Sequence, residues 1–518
     1  MNKHSLFGAA LIISVASLIS RILGLIKIRL LAAHFGAGIE LDAYYAAFRI
    51  PDLVFSLVIL GTVTAAFVPI FIEHWENNKD EALRITNTIL NISLIASVGV
   101  ASIAYFFAPS IVKVIAPGFD AEARSLTIML TRIMLASPIF LVISSLLSSF
   151  LNGRKEFFAF ALAPVFYNIG IIGGIIFLSP RFLILGPALG VVIGAFLHML
   201  IQLPTSLLLG YRYRFSFDLK NEGVKKIFKH MIPSILSLSL FQFNWLVVTF
   251  IATFLPVGNL AIISWVNDIQ NVPIGLVGIP LAIAVFPTLA ESVGKQDIGS
   301  FLDQFNHAMR QVLFLIVPLA LATIILRAQI IRLVLGSGLF GWEETRIAAS
   351  ALAFFSLSIF ASSALPLLTR AFYALQDVAT PLKVSVFSIF VTIISAALLP
   401  KIKFLPYSID GLALAFGVSA IVSVIILFYI LKKRFIDTPF PILGVFLRIA
   451  LASLLACSAL YGSLYFFDIF VKTETFIGIF AQTSLSVIIG SFVYLGIAVL
   501  LSMEEVQGLT KFIKRAVI

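Results

Sequence analysis

Fourteen long apolar runs, each bounded by charged residues, glycine or proline, divide this chain of 518 residues. The runs lie near residues 6–32, 41–73, 85–107, 123–151, 158–178, 184–208, 228–254, 259–290, 308–327, 346–373, 381–400, 410–431, 443–468 and 474–502. An α-helix of about 20 apolar residues crosses the hydrocarbon core of a bilayer. The sequence therefore predicts an all-α integral membrane protein with about 14 transmembrane helices.

The composition excludes several other classes of protein. Hydrophobic residues make up 60% of the chain and charged residues only 12%, whereas a soluble domain carries about 25% charge. The apolar runs are continuous, while the strands of a transmembrane β-barrel alternate between apolar and polar residues. Cys457 is the single cysteine, which excludes a disulfide framework and a cysteine metal cluster. The first run is longer than a signal-peptide core and lacks a convincing cleavage site, so we expect the first helix to be retained.

Topology explains the net charge of +11 better than nucleic-acid binding does. With an even number of helices, both termini lie on the same side of the membrane. The termini and the connections on that side contain twenty Lys and Arg residues, and the opposite connections contain nine. Because cytoplasmic loops carry the excess of basic residues, we predict cytoplasmic termini and no nucleic-acid partner.

Weak internal similarity suggests two related halves joined by the basic connection 209–227. Phe67-Val68-Pro69 is echoed by Val285-Phe286-Pro287, and Phe150-Leu151-Asn152 followed by Pro164 is echoed by Phe372-Tyr373-Ala374 followed by Pro381. Chance similarity between apolar sequences is the alternative. Repeated halves are common in secondary transporters. The predicted parts are an N-terminal lobe 1–208, the cytoplasmic linker 209–227, a pseudo-symmetric C-terminal lobe 228–431, two extra helices 443–502 and an amphipathic cytoplasmic tail 503–518.

Sequence motifs of enzymes and metal sites are missing from the chain. It contains no His-Glu-x-x-His metal helix, no Gly-x-x-x-x-Gly-Lys-Ser/Thr phosphate loop and no Gly-x-Ser-x-Gly elbow, so intrinsic ATP hydrolysis is not expected. The six histidines are scattered along the chain, and we interpret His198 as a packed or hydrogen-bonded side chain. The sequence predicts a transporter with no catalytic residues and no metal site.

The first helix carries charge at bilayer depth, where an ionisable group costs about 2.5–3.5 kcal/mol to insert. On a helical wheel its polar residues form one sector, about 140° wide, which consists of Ser14, Ser17, Ser20, Arg21, Gly24 and Lys27. This sector predicts a water-filled cavity in which Arg21 and Lys27, with Ser17 and Ser20, bind an anionic substrate. Arg29 falls outside the sector and is better explained by contact with the interface.

The second helix is also polar, and two interpretations of it remain open. Asp42 and Arg49, seven residues apart, share a face, and Pro51 with Asp52 follows. Proline can bend a membrane helix and expose carbonyl groups to a cavity. This region is therefore either a gate or a static Asp–Arg pair.

The corresponding patch of the second half is acidic and runs from Asn267 and Asp268 to Pro273. Asp268 either pairs with a cation or takes up a proton during transport. Arg132 and Arg370 are weaker candidates for the site, and anionic headgroups explain Arg370 and Arg310 adequately.

Several of these residues resemble the MurJ/MviN family of lipid II flippases, within the multidrug and oligosaccharidyl-lipid exporter superfamily. The similarity runs along nearly the whole chain and rests on Ser20-Arg21-Ile22-Leu23-Gly24, Phe35-Gly36-Ala37-Gly38 with Asp42-Ala43, Phe67-Val68-Pro69, Ala116-Pro117-Gly118-Phe119, and Ala371-Phe372-Tyr373-Ala374 with Asp377 and Thr380-Pro381. The resemblance implies two lobes around a central cavity that binds the pyrophosphate of undecaprenyl-linked peptidoglycan precursor. It also implies a lipid-tail groove at helices 13 and 14, alternating access, and the bacterial inner membrane as the location.

The sequence departs from the family pattern at three positions. Family members commonly have an arginine in helix 2 and another in helix 8, and these positions fall here on Phe55 or Ser56 and on Asp268. A frequent acidic residue of helix 2 falls on Leu60. The cationic cluster is therefore thinner, with Arg49 as the nearest substitute, and Lys27 lacks the bidentate grip of arginine on phosphate.

The remaining expectations concern partners and competing functions. We expect no cofactor, and we expect membrane lipids as partners. Coupling to the membrane potential or to a monovalent ion and contact with cell-wall synthesis proteins are further expectations. The competing functions are a flippase for another polyprenyl-linked oligosaccharide, a cation-coupled drug exporter and a non-transporting scaffold. An acidic cavity would be expected of the exporter, and a scaffold would not need the polar sector of the first helix.

Overall fold

The computed structural model describes residues 3–57, 67–402, 405–435, 442–471 and 473–506, with side chains from residue 12 onward except at 230–241 and 442–443. Within these ranges the chain forms α-helices without a β-strand. The helices up to residue 252 are Lys3–Phe35 (α1), Ile39–Phe55 (α2), Phe67–Asn77 (α3), Lys79–Ile115 (α4), Ala121–Met134 (α5), Ser137–Gly153 (α6), Phe158–Gly173 (α7), Ser179–Phe182 (α8), Leu185–Leu200 (α9), Leu203–Leu208 (α10) and Glu222–Ala252 (α11). The later helices are Asn259–Pro273 (α12), Ile279–Gly294 (α13), Ile298–Ile325 (α14), Arg327–Val334 (α15), Trp342–Ser356 (α16), Ile359–Ala374 (α17), Ala379–Leu398 (α18), Ser408–Arg434 (α19), Ile442–Asp468 (α20) and Phe476–Leu500 (α21).

Each of the fourteen apolar runs falls on one or two of these helices, so the all-α membrane fold is confirmed. In the described part of the chain, ten helices are long and apolar enough to cross a membrane, or eleven if the bent pair α16 and α17 is one span. The number fourteen stays a prediction. Four of the predicted runs, 123–151, 184–208, 259–290 and 346–373, are divided between two helices, and part of the run 41–73 lies outside the described residues.

Contacts divide the chain into two compact units. Unit 1 consists of Met1–Ala261 with Gly338–Phe340, and unit 2 of Ile262–Ser337 with Gly341–Ile518. The aromatic core of unit 1 forms where Phe71, Trp75 and Phe150 pack with ring centroids 5.3 to 5.6 Å apart. The core of unit 2 joins α13, α14, α17, α19, α20 and α21. The lobe boundaries given by the sequence stay predictions.

The predicted linker 209–227 contains an extended strap in unit 1, residues 211–218, which lies along α4. The side-chain amide of Asn87 donates to the carbonyl of Arg212, and that of Asn91 donates to the carbonyl of Ser216, both at 2.9 Å. The hydroxyl groups of Tyr211 and Tyr213 donate in turn to the side-chain oxygens of the same two asparagines. These bonds satisfy two backbone carbonyls of the strap, which lies outside the helices.

An ion pair and a hydroxyl–hydroxyl hydrogen bond fix the second end of the strap to α4. Arg84 of α4 pairs with Asp218 at 2.9 Å, and the hydroxyl groups of Thr88 and Ser216 are 2.8 Å apart. The polar side chains at the start of α4 therefore bind the extended part of the linker along its length. This explains why a helix that the sequence assigns to the membrane begins with so many hydrogen-bonding side chains.

Local geometry repeats between the two units. At the end of α6 the amide of Glu156 donates to the carbonyl of Leu151, and at the end of α17 the amide of Asp377 donates to the carbonyl of Phe372, an offset of 221 residues. The preceding residues, Lys155 and Gln376, have φ values of 59° and 60°. Both helices thus end in a left-handed cap of the same kind.

Two further pairs of features repeat with nearly the same offset. Asn78 caps α4 and Asp297 caps α14, each accepting a hydrogen bond from the amide three residues later. A π-helical turn begins at Ser56 after α2, and another begins at Ile274 after α12. The offsets of 219 and 218 residues support the internal repeat suggested by the sequence.

Asp377, between α17 and α18, is expected to make stability depend on acid pH. Burial acts to raise the pKa of its carboxyl group, but hydrogen bonds from the amide and hydroxyl of Thr380 and from Arg434 outweigh burial and lower the pKa. A lowered pKa in the folded state stabilises the protein above the unfolded pKa, about 3.9, and this stabilisation disappears as the pH falls through the folded value. The melting temperature of wild type should therefore exceed that of Asp377→Asn at pH 6, and the difference should begin to shrink only below about pH 4, as the pH falls towards the lower pKa of the folded state. A difference that persists unchanged into acid would contradict this role.

The start of the predicted tail is fastened to unit 2. Arg310 of α14 pairs with Glu504 at 3.0 Å and with Glu505 at 2.7 Å, and the Glu505 side chain is only 4% exposed. Met503 and Val506 are buried in the same core. Arg310 therefore has protein carboxylates where the sequence suggested lipid headgroups. The rest of the predicted tail, 507–518, lies outside the described residues.

Replacing Arg310 with methionine is expected to destabilise unit 2 by about 3–5 kcal/mol, the usual cost of leaving one charge of a buried pair without its partner. The double variant Arg310→Met with Glu505→Gln should recover part of this loss, because it removes the unpaired charge. Thermal unfolding in detergent would measure both. Equal stability of wild type and Arg310→Met would show that the pair contributes nothing.

Candidate functional site

The polar sector predicted for the first helix lies on α1, in unit 1. Ser17 is exposed, and Ser20, Arg21 and Lys27 are half-buried. Among the described residues, no carboxylate lies within ion-pair distance of Arg21 or Lys27, and the Nε atom of Arg21 is buried without a hydrogen-bond partner. Two cations on a membrane helix without protein counter-ions are costly. The arrangement leaves both able to bind an anion.

A residue of α7 that the sequence analysis missed binds the polar sector of α1. The side-chain amide of Asn168 on α7 donates to the carbonyl and to the hydroxyl of Ser20, both at 3.2 Å. A third contact, 3.1 Å long, goes to the carbonyl of Pro164. Asn168 therefore fixes the rotation of α1, and with it the direction of Arg21. In the sequence, Asn168 is recognisable only as an amide side chain within the apolar run 158–178.

Arg49 of α2 is held by α11 within the same unit. Its Nε atom donates to the hydroxyl of Thr249 at 2.9 Å, and its guanidinium lies 4.5 Å from the ring centre of Trp245. Stacking on an aromatic face orients the planar guanidinium. Trp245 and Thr249 are both buried, and both were missed because they lie about 200 residues away in the chain.

Asp42 has a structural role at the start of α12. Its two carboxylate oxygens accept hydrogen bonds from the backbone amides of Gly258 at 2.6 Å and Ala261 at 2.8 Å. A carboxylate at a helix N-terminus satisfies amides that lack partners within the helix. Asp42 therefore binds backbone amides, and the choice between a gate and a static Asp–Arg pair in α2 stays a prediction.

Two left-handed glycines make the approach to Asp42 possible. Gly36, at the end of α1, has a φ of 61°, and Gly258 has a φ of 89°. A side chain at Gly258 would collide with the carbonyl of Ala37. Within the Phe35-Gly36-Ala37-Gly38 motif, the left-handed backbone explains Gly36, and Gly258 packs against the backbone of Ala37.

Pro51 lies inside α2, and Asp52 beside it is half-buried. Ser56 donates its hydroxyl to the carbonyl of Asp52 at 2.6 Å, where the helix changes to a π-helical turn. Proline removes one helical hydrogen bond, and π turns are common at functional sites. A gate at this point stays a prediction, and Leu60 lies outside the described residues.

The acidic patch of the second half lies on α12, in unit 2. Asn267 is buried and accepts a hydrogen bond from Gln270 at 3.4 Å, while Asp268 is exposed. Pro273 ends α12, and the π turn Ile274–Gly278 joins it to α13. An ionisable side chain within a membrane span needs a polar environment.

The weaker candidates have protein contacts. Arg29 is half-buried on α1. Arg132 donates to the carbonyl of Tyr105 at 3.3 Å and lies over that ring. Arg370 donates to the carbonyl of Ala282 at 3.4 Å. His198 is 2.6 Å from the hydroxyl of Ser144, so its interpretation as a hydrogen-bonded side chain agrees with the structure.

An apolar cavity of about 220 Å³ lies in unit 2 beside α20, one of the two extra helices. Val317, Leu321, Phe360, Phe446 and Leu454 are among its lining residues. A cavity of this kind suits hydrocarbon. The lipid-tail groove expected at helices 13 and 14 stays a prediction.

Comparison with known proteins places these features in a family. The sequence profile described as "Lipid II flippase MurJ" matches residues 31–486. The lipid II flippase MurJ of Burkholderia cenocepacia is 30% identical over 447 residues, which cover 84% of this chain and 86% of that protein. The probable lipid II flippase MurJ of Treponema pallidum is 28% identical and covers 83% of each chain.

Solved structures agree on the fold. A structure of lipid II flippase MurJ in an inward closed conformation aligns with a TM-score of 0.77 at 24% identity, covering 95% of this chain and 99% of that one. An inward-facing MATE family transporter of the MOP superfamily aligns with a TM-score of 0.67 at 16% identity, covering 82% and 98%.

Proposed function

This chain belongs to the MurJ family of lipid II flippases, and from that premise we propose that it moves undecaprenyl-pyrophosphate-linked peptidoglycan precursor from the inner to the outer leaflet of the bacterial cytoplasmic membrane by alternating access. It is a multi-pass membrane transporter, not an enzyme. The single observation that carries the proposal is the pair of half-buried cations on α1, Arg21 and Lys27, which have no carboxylate partner among the described residues.

The physical barrier defines what the site must do. A diphosphate cannot cross about 30 Å of hydrocarbon unaided, because each charge must lose its water. Arg21 and Lys27 would replace that water for the pyrophosphate, and the hydroxyl groups of Ser17 and Ser20 would donate further hydrogen bonds. Arg49, oriented by Trp245, is the third cation of unit 1 that we assign to the substrate.

Asp52, Asp268 and Asn267 are assigned to gating, next to the two π turns that follow α2 and α12. Each π turn is a weak point in the helical hydrogen bonding, where a bend can form without unfolding the helix. The membrane potential, worth about 2.3 kcal/mol per charge per 100 mV, or a monovalent cation would drive the return of the empty carrier. We place both termini on the cytoplasmic side, and any contact with cell-wall synthesis proteins belongs to the same proposal.

Complementation tests the function directly. A bacterial strain depleted of its own lipid II flippase should grow when it expresses this chain. Expression of an unrelated membrane protein at the same level should not restore growth. Failure of the well-inserted wild-type chain would contradict the proposal and favour another polyprenyl-linked glycan as substrate.

A further inference from the structure

The cytoplasmic half of unit 2, in the proposed orientation, contains an open cleft between α13 and α14. Its volume is about 570 Å³, within the range of small-ligand pockets of roughly 300–1,000 Å³. Asp303 lies about 8 Å along α14 from its first residue. The lining residues are Leu281, Ala284, Val285 and Thr288 of α13 and Asp303, Gln304, His307, Ala308 and Gln311 of α14.

The internal repeat shows why this cleft is open. With the offsets of 218 and 219 residues, four buried core residues of unit 1 correspond to four residues that line the cleft. Every replacement is smaller or more polar, and the pairs are Phe67 with Val285, Ile70 with Thr288, Ile85 with Gln304 and Ile89 with Ala308. In unit 1 this space holds the first turns of α11, through Val224 and Ile227.

The same comparison shows what kind of ligand the groove can hold. In unit 1, Arg84 and Thr88 of α4 bind Asp218 and Ser216 of the extended strap. Their counterparts in unit 2 are Asp303 and His307, which line the cleft. An extended peptide is therefore the natural occupant of this groove, and the change from arginine to aspartate reverses the charge that it must carry.

The chemistry of the lining favours an ammonium group. Asp303 is exposed and its carboxylate faces an open cleft. The side-chain oxygen of Gln304 is buried without a hydrogen-bond partner, while its nitrogen donates to Ser292 and Ser300. Among the described residues that line the cleft, none is Lys or Arg, so the cleft does not suit the pyrophosphate. It offers hydrogen-bond acceptors to a cationic amine.

We propose that this cleft binds the peptide of the lipid-linked precursor, with a side-chain amine of the peptide at Asp303. The inference rests on the proposed function and deepens it. It concerns the peptide alone, whereas the proposed function assigns the pyrophosphate to the cations of α1. Asp303, Gln304 and Gln311 are then specificity-determining residues for the substrate.

Binding to the full-length protein in lipid nanodiscs tests this inference. The probes are a lipid-linked disaccharide-peptide with one free side-chain amine, the same molecule with that amine acetylated, and undecaprenyl diphosphate without sugar or peptide. Wild type should bind the free-amine probe about tenfold more tightly than the acetylated one, as expected for one charge-assisted hydrogen bond. Asp303→Asn should remove this preference.

Two further variants make the result specific. Glu291→Gln removes a neighbouring exposed carboxylate that pairs with Lys295 and does not line the cleft, so the preference should remain. Ala284→Trp, at an exposed lining position, should weaken binding of both peptide-bearing probes and leave undecaprenyl diphosphate unaffected.

The outcomes separate this inference from the proposed function. Equal binding of the two peptide-bearing probes to wild type, or a preference that survives Asp303→Asn, overturns the peptide cleft. If binding nevertheless depends on Arg21, the proposed function stands. If wild type binds none of the three probes, both are overturned.

Discussion

Replacing Arg21 with alanine is expected to weaken binding of the lipid-linked precursor about 10- to 100-fold, because one charged hydrogen-bond donor is worth roughly 1.5–3 kcal/mol. The protein should remain folded. In the described part of the chain Arg21 has no carboxylate partner, so its removal leaves no protein charge unpaired.

The control for this prediction is Arg327→Ala. Arg327 is exposed, and its one hydrogen bond among the described residues goes to a carbonyl of the preceding helical turn, at 2.8 Å. It tests whether loss of any one positive charge reduces binding. Lys27→Ala should resemble Arg21→Ala but with a smaller effect, because lysine binds phosphate as a point charge. Similar affinities of wild type and Arg21→Ala, measured in the same nanodiscs, would remove Arg21 from the substrate site.

The second large effect is expected at Asp42. Asp42→Ala leaves the buried amides of Gly258 and Ala261 without acceptors. Each unsatisfied donor costs about 1–3 kcal/mol, so the free energy of unfolding should fall by about 2–6 kcal/mol. Thermal unfolding in detergent measures this loss.

Two variants define the cause of this loss. Asp42→Asn retains one acceptor and should be intermediate between wild type and Asp42→Ala. Glu40→Ala removes a half-buried carboxylate two residues earlier in the same helix and should have little effect. If Asp42→Ala unfolds at the wild-type temperature but abolishes transport, Asp42 is a gating residue and the capping role is wrong.

The two variants should therefore fail in different ways. Arg21→Ala yields a stable protein with weak binding, and Asp42→Ala yields an unstable one. The sequence placed both residues in the candidate site, as charges in the first two membrane helices. The structure separates them, because the carboxylate of Asp42 is saturated by backbone amides and the guanidinium of Arg21 lacks such partners among the described residues.

What the sequence could predict follows from local physics. Hydrophobic length places the helices, and the wheel of α1 identifies Arg21 and Lys27, because both signals are contained within about 20 neighbouring residues. The repeat was visible through Pro69 and Pro287. The structure then supplies further paired features at similar offsets, such as the caps at Asn78 and Asp297.

The sequence could not predict contacts between residues that lie far apart in the chain. Arg49 meets Thr249 across 200 residues, and Asn87 meets Arg212 across 125. No periodicity encodes such pairs, so Thr249 looked like an ordinary helix residue. The cleft at Asp303 was missed for another reason. It is recognisable only when the two repeats are compared and the core residues of unit 1 are known.

The central claim is that this chain carries the lipid-linked precursor to the outer leaflet. The most direct test measures the fraction of precursor that an externally added hydrolase can cleave, in spheroplasts of a strain depleted of its own lipid II flippase. Wild-type chain should restore cleavage, and Arg21→Ala at matched membrane expression should not. Precursor that stays protected from the hydrolase while the wild-type chain is present and folded in the membrane would contradict the claim.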